Sequence, residues 1–387
     1  MEAAMPPAFP ESEYQARLAR ARDLLKAQDL YGCICIAPEL LYYFAGHEAY
    51  TFFSDQALVF TTEDDDPSLV IREVDLPVSR ETAWITDFRT FHYGKDNPAD
   101  FVAEAAREKG VAGGRLGVDL GSFSASAGYV RRLAAALAPT QIVDATDLLN
   151  SLRLVKSPGE LAYVREAASY ANAGMDAALS AVRPGISEIQ LAAEIEYAMR
   201  SKGCDYAAMP TWVRSGPRSP NAHSQATGRV MEEGDVVCVE FAGIARRYQC
   251  VTMKTFSLGP PSPRVRAMHE AGRDSLLTGA RAIAVGEPVS AAEEASIPPL
   301  QRRGFSQFSN MRFGIGISAA YPPSWVDTLS IIRESKGVFR AGMTFYLHTS
   351  IQIPDEGIGA LVGASFLLTD DGLEQLTPGS EELAVIG

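Results

Sequence analysis

Two side chains in this sequence are suited to moving protons, and they sit in very different settings. His223 closes the segment Ser219-Pro220-Asn221-Ala222-His223, a run of turn formers rather than one face of a helix. Catalytic groups concentrate in such loops when a rigid scaffold carries them. An imidazole changes charge near neutral pH, so one histidine can accept a proton and return it within a turnover. The plain alternative is a solvated loop histidine. Glu240 instead stands at the end of the apolar run Val236-Val237-Cys238-Val239-Glu240-Phe241-Ala242. Burying a carboxylate there is costly unless it is paired or neutralised. Burial would raise its pKa into the range useful for acid–base work, or present it as a nucleophile. The alternative for Glu240 is an ordinary ion pair with Arg246, Arg247 or Lys254.

The elements that position these groups are readable from periodicity. A strand runs into Glu240, a Gly-containing bend passes Arg246, Arg247 and Tyr248, and a returning strand leads to Lys254-Thr255-Phe256. Upstream, Glu13–Gln28 has helical spacing of Tyr14, Leu18 and Leu25, and Cys33-Ile34-Cys35-Ile36 is a short apolar strand ended by Pro38. Strands are expected at Ala57–Phe60, Ser68–Ile71, Leu116–Val118 and Gln141–Val143, with helices at Pro98–Lys109 and Phe123–Leu137 between the later ones. That alternation predicts an α/β domain with a mixed sheet over residues 1–152. No Gly-rich turn opens a helix, so it carries no nucleotide signature.

Ser157-Pro158-Gly159-Glu160 reads as a helix start, with a cap, a proline at the first helical position and a glutamate three residues after the cap. Residues 153–387 then contain an internal repeat. Ala181–Ser187 and Ala284–Ser290 each open a helix, and Gly185 to Gly203 and Gly286 to Gly304 both span 18 residues. Each half next reaches a glycine followed by a strand, Gly234-Asp235-Val236-Val237 and Gly342-Met343-Thr344-Phe345. Two such halves predict a pseudo-two-fold α+β domain with its site between them.

The hairpin around Glu240 and the Arg153-x-x-Lys156-Ser157-x-x-Glu160 junction resemble those of the pita-bread superfamily of methionine and Xaa-Pro aminopeptidases, prolidase, creatinase and ectoine hydrolase. In its metallopeptidases, the resemblance implies aspartates at Glu240 and Val251, a histidine at Phe313 and glutamates at His348 and Gly363. Only Glu240 keeps a carboxylate, and a divalent cation needs several hard oxygen or imidazole donors converging on one point. The resemblance therefore implies neither metal nor other cofactor, and it argues against metal-dependent peptide hydrolysis. Within the superfamily the chain most resembles ectoine hydrolase, through Glu240-Phe241-Ala242-Gly243, Arg246-Arg247-Tyr248-Gln249-Cys250, Tyr321-Pro322-Pro323-Ser324-Trp325 and Ala341-Gly342-Met343-Thr344-Phe345. That likeness makes Glu240 nucleophile or base and His223 a proton shuttle in opening an amidine or guanidino C–N bond. The sequence departs from it on the last core strand, where Gly359–Ser365 has no glutamate, and at Met253, where creatinase has one. Such carboxylates would grip a cationic group, so a less cationic substrate or a different reaction is expected.

Pocket candidates are Trp212, Arg247, Phe313, Tyr321, Trp325 and His348, the last either a compensating polar group or a hydrogen-bonded core histidine. Tyr50 and Phe53 belong to the aromatic segment 42–53, in which Phe44 and Phe52 are expected in the core. In creatinase the equivalent segment reaches a neighbouring subunit's site, which implies a homodimer here.

Composition frames the rest. With 387 residues, 47% hydrophobic and 21% charged, the chain reads as a globular protein of two or three domains. No segment has the uncharged apolar length of a membrane span, and the first residues lack the basic and apolar regions of a signal peptide, so the expected location is the cytoplasm. A net charge of −13 without a basic run argues against nucleic acid and for a small-molecule substrate. The five scattered cysteines suggest neither disulfides nor zinc, and Cys33 and Cys35 are expected on opposite faces of their strand. The expected activity is metal-independent hydrolysis of a C–N bond in a small nitrogenous metabolite. The alternatives are a diverged lyase, cyclase or dehydratase using the same pair, and a non-catalytic ligand- or peptide-binding domain. A His–Glu pair at a closed pocket favours an enzyme, whereas His223 turned to solvent favours binding.

Overall fold

The computed structural model describes residues 6–63, 66–111, 113–309, 313–380 and 382–387. Arg312 of the Arg312-Phe313-Gly314 turn and residues 1–5 of the N-terminal segment lie outside them. The chain divides into two compact units, Met1–Arg153 and Leu154–Gly387. No helix among the described residues is long and apolar enough to cross a membrane.

The first unit contains α1 (Glu11–Ala27), β1 (Gly32–Cys35), α2 (Pro38–Ala45), β2 (Ala57–Thr61), β3 (Ser68–Arg72), α3 (Leu76–Thr82), β4 (Asp87–Phe91), α4 (Pro98–Glu108), β5 (Arg115–Val118), α5 (Ala127–Leu137), β6 (Gln141–Asp144) and α6 (Thr146–Ser151). Its sheet has the order β4-β3-β2-β1-β5-β6. The β1–β2 and β2–β3 pairs are antiparallel and the other pairs parallel, the mixed α/β sheet expected. Helix α5 starts at Ala127, later than the sequence suggested, because the Ser126 side chain accepts from Tyr129 N and caps it. The expectation for Cys33 and Cys35 was wrong. Residues two apart on a strand share a face, and the two Sγ atoms lie 3.9 Å apart in the core shared with Leu18 and Leu25. Ile34 and Ile36 point the other way, into the core shared with Val102 and Leu133.

The second unit begins with α7 (Pro158–Ala181), whose Ser157/Glu160 capping box is complete. There follow α8 (Glu188–Ser201), β7 (Trp212–Ser215), β8 (Val236–Ala245), β9 (Tyr248–Leu258), α9 (Pro263–Arg281), α10 (Ser290–Arg302), β10 (Gly314–Gly316), β11 (Ser330–Ile331), β12 (Thr344–Ile353), β13 (Ile358–Thr369), β14 (Gly372–Gln375) and β15 (Ala384–Ile386). The sheet order is β11-β10-β12-β13-β9-β8-β7. Each half supplies a helix pair and a long hairpin. The repeat extends to single hydrogen bonds: Gly185 N donates to Met231 O and Gly286 N to Phe339 O, both 2.9 Å. Bridges Ser187–Val230 and Pro288–Val338 are equivalent, and Gly185 and Gly286 have φ of +90° and +89°.

The helices cover one face of this sheet through close contacts at glycines. Gly243 lies within β8 rather than in the bend, and a Cβ there would collide with the Ala167 carbonyl and the Ala171 amide of α7. The bend is the two-residue link Arg246-Arg247, with φ of +45° and +68° between the paired residues Ala245 and Tyr248. Positive φ at both central residues suits the twist of a hairpin. Gly243→Ala is expected to destabilise the protein by about 1–3 kcal/mol, because backbone atoms of α7 cannot yield as a side chain would. Gly128→Ala in α5, where the nearest atom is 3.5 Å from the added methyl, should change the melting temperature little. Chemical denaturation of both variants checks the contrast.

Candidate active site

The other face of the sheet carries the candidate groups in one file. The register aligns Trp212 (β7) with Glu240 (β8), Glu240 with Met253 (β9), Met253 with Gly363 (β13) and Gly363 with His348 (β12). Cross-strand partners share a face, and strand alternation adds Arg214, two residues from Trp212, and Tyr346, two residues from His348.

Glu240 is the centre of this group and only 7% exposed. The Tyr346 hydroxyl donates to its Oε1 at 3.0 Å, and Arg214 Nη2 lies 3.8 Å from its Oε2. Burial pushes the Glu240 carboxyl up to about 7, against the opposing pull of Arg214 and the Tyr346 hydrogen bond. The nearby cation is Arg214, not Arg246, Arg247 or Lys254 as the ion-pair alternative supposed. Tyr346 can reach Glu240 because residue 363 is glycine: a side chain there would meet the Tyr346 ring and the His348 Cβ. His348 is buried beside Tyr346, with ring centroids 5.0 Å apart.

The His223 loop is fixed from below by Glu188, which is fully buried at the start of α8. Its carboxylate accepts from Ser215 N (2.9 Å) and Oγ (2.8 Å) at the end of β7, and from Thr227 N (3.0 Å) and Oγ1 (2.7 Å) after the loop. It also accepts from Arg218 Nε at 3.2 Å, and Arg218 Nη2 donates to Ser224 Oγ and Gln225 O. His223 has φ +57°, is exposed, and sits 5.1 Å from the Trp212 ring. Partial burial and the Arg214 charge lower its pKa. Trp212 therefore contacts His223 while pairing across strands with Glu240; no hydrogen bond joins the two candidates directly. Trp325 packs edge-on against Trp212 at 5.4 Å.

Arg247, Tyr321 and Phe313, expected in the pocket, are placed differently. Arg247 is fully buried, with Nη1 and Nη2 each donating at 2.7 Å, to Tyr206 O and Ala320 O. Its guanidinium lies 3.8 Å from the Tyr206 ring centre and 4.9 Å from that of Tyr321. Arg247 and Tyr321 thus form a packing clamp around the hairpin turn, because carbonyls and ring faces satisfy the cation locally. Phe313 turns to the helix side, where its ring presses on Gly279 of α9 within the core of Phe345 and Leu347. Tyr50 and Phe53 lie in the first unit, 54% and 62% exposed, with Arg72 over the Phe53 ring at 4.9 Å. Arg214 and Tyr346 were missed by the sequence reasoning; register with Glu240 and His348 is the signal that would have found them.

A model of the metallopeptidase family M24 matches residues 162–370, more than half of the chain. The chain belongs to the metallopeptidase family M24. A creatinase/prolidase N-terminal domain model matches residues 17–155. Among full-length relatives, an uncharacterized hydrolase/peptidase of Sinorhizobium fredii is 27% identical, over 98% of each chain. The ectoine hydrolase of Halomonas elongata is 25% identical, over 97% of this chain and 98% of its own. The crystal structure of the dipeptidase PepE from Mycobacterium ulcerans superposes with a TM-score of 0.85 at 26% identity, covering 98% of this chain and 99% of that one. The likeness to ectoine hydrolase is thus no stronger than that to a dipeptidase, and does not single out that branch of M24.

A metallopeptidase name implies a divalent cation, and the M24 positions of this chain do not fit one. Val251 is aliphatic, Phe313 points into the helix-side core, and the space at Gly363 is taken by the Tyr346 ring. Among the described residues no group of three or more His, Cys, Asp or Glu side chains is placed to hold a metal ion.

The carboxyl of Glu240 has a raised pKa when folded, so its contribution to stability is fully present below the ordinary carboxylate range and is lost as pH rises through about 7. Relative to wild type, Glu240→Gln should therefore gain stability between pH 4 and pH 8, by on the order of 3 kcal/mol. Denaturant melts of both proteins across that range measure the difference directly.

Proposed function

We propose that this M24 chain is a metal-independent hydrolase that cleaves a C–N bond in a small nitrogenous metabolite in the cytoplasm. The observation that carries the reading is Glu240: one carboxylate, buried at the centre of the sheet face, poised near neutrality and hydrogen-bonded by Tyr346. A group with that proton affinity is effective both as base and as acid at neutral pH. In the ionised form Glu240 takes a proton from water while the water oxygen adds to the electrophilic carbon. The C–N bond then breaks, and the nitrogen leaves with the proton returned from Glu240 or relayed by His223. Trp212, Trp325 and His348 are the proposed substrate contacts. The absence of glutamates between Gly359 and Ser365 supports a substrate less cationic than a guanidinium or amidinium ion.

Glu240→Gln and His223→Ala are each expected to lower turnover by roughly 10²–10⁴-fold, with the fold retained by circular dichroism. Chelator should alter neither turnover nor melting. Near-normal turnover of Glu240→Gln on a cyclic amidine, guanidino acid or amide that the wild type cleaves would end this reading, as would tightly bound stoichiometric Mn, Co or Zn.

The exposure of His223 and its lack of a direct bond to Glu240 favour a second reading, a non-catalytic domain that binds a small molecule or peptide. Ligand-induced stabilisation with no turnover of any bound compound would select it.

We further propose a homodimer, supported by the exposed aromatic pair Tyr50 and Phe53, which would reach a neighbour's site. Phe53→Ala should then impair turnover more than stability. A fully active monomer in light scattering removes that idea.

A further inference from the structure

The least satisfied polar group on the site face is neither of the proton-transfer candidates but Arg214. Its side chain is 2% exposed, so water does not solvate the charge. Nη1 donates to Asn221 O at 3.2 Å, in the loop that carries His223. Nε and Nη2 have no hydrogen-bond partner. These two atoms form one edge of the guanidinium, the edge that grips a carboxylate with two parallel bonds. Trp212 lies two residues earlier on the same face and is 4% exposed, and its Nε1 is likewise without a partner. Both groups are donors only.

Buried donors are expensive to leave unmade, and a buried cation more so. Glu240 does not meet the need. Its Oε2 is 3.8 Å from Nη2, beyond hydrogen-bond reach, and its other oxygen is held by Tyr346. With Glu240 protonated for much of the time near neutral pH, the guanidinium charge has no full counterion. Arg247 makes the contrast: it is equally buried, yet both of its terminal nitrogens are bonded to carbonyls.

We propose that the Nε/Nη2 edge of Arg214 binds a carboxylate of the ligand, with the unpartnered Trp212 indole N–H a second donor on the same sheet face. This deepens the hydrolase reading and rests on it for the chemistry: the substrate becomes a small carboxylic acid whose C–N bond is presented to Glu240. The anchor at Asn221 O keeps the edge aimed before the ligand arrives and ties it to the His223 loop. A free carboxylic acid and the C-terminus of a short peptide offer the same group, so the test must separate them.

The experiment compares matched probes by thermal stabilisation and calorimetry of the intact protein: acetate with acetamide, guanidinoacetate with its primary amide, N-acetylalanine with N-acetylalaninamide, and glycylglycine with glycylglycinamide. Binding to the native state raises the melting temperature by mass action. Carboxylates are expected to stabilise the wild type and the amides not. Arg214→Lys keeps the charge but not the paired edge, and should bind the best carboxylate roughly 10–100-fold more weakly. Arg214→Gln should lose binding further. Preference for glycylglycine over the other acids would assign the edge to a peptide terminus; preference for the others assigns it to a small metabolite. The proposal is overturned if no carboxylate stabilises the wild type, if the amides do so equally, or if Arg214→Lys binds undiminished. It is also overturned if Arg214 serves only as counterion to Glu240, shown by Arg214→Gln/Glu240→Gln binding carboxylates as well as wild type. Because binding needs no turnover, Glu240→Gln keeping both turnover and Arg214-dependent binding would end the hydrolase reading and leave the carboxylate site standing.

Discussion

The desolvation of one carboxylate organises this site. Glu240 is buried in an apolar strand, so its charge is disfavoured unless neighbours restore it. Tyr346 supplies one hydrogen bond and Arg214 a charge at a distance, and together they do not bring the carboxyl back to its ordinary range. A carboxyl left in that balance can exchange a proton at little cost. A metal-ligating carboxylate has the opposite requirement, since it must stay ionised to hold the cation.

The surrounding substitutions are consistent with one another in physical terms. Removing a side chain at residue 363 opens the room that the Tyr346 ring fills, and the Tyr346 hydroxyl then reaches the one carboxylate left. Phe313 leaves the site face and becomes part of the helix-side core, packed on Gly279. Val251 contributes no donor, yet its backbone N–H and carbonyl are both bonded to the Ser365 side chain, so the strand pairing around it is retained. The M24 fold is thus kept with a site face that, among the described residues, gathers no cluster of metal-binding side chains.

Rigidity comes from elements that never touch the face. The pseudo-two-fold pairs of helices close against the sheet through Gly243 and Gly279, where no side chain would fit. Glu188 bonds the end of β7 and both sides of the His223 loop, and Arg218 extends that grip to Ser224 and Gln225. The Tyr206–Arg247–Tyr321 clamp holds the tip of the central hairpin. Loops on such supports keep their geometry because the bonds that hold them are buried and charge-assisted.

Local sequence determined much of this. Alternating apolar runs marked the strands, the Ser157 capping box marked the first helix of the second unit, and equal glycine spacings revealed the repeat, because these signals depend only on near neighbours along the chain. The same local pattern made Glu240 conspicuous as a carboxylate in an apolar strand, and His223 as a histidine among turn formers. Only the tertiary structure decided which cation Glu240 meets, since β7 is brought beside β8 by a register that no local pattern encodes. It put Arg214 and Tyr346 on the site face and took Arg247, Tyr321 and Phe313 away from open pocket positions. The reason is that a side chain's role in a sheet depends on which partners its strands acquire. Those partners can lie far along the chain, as Tyr346 lies 106 residues from Glu240.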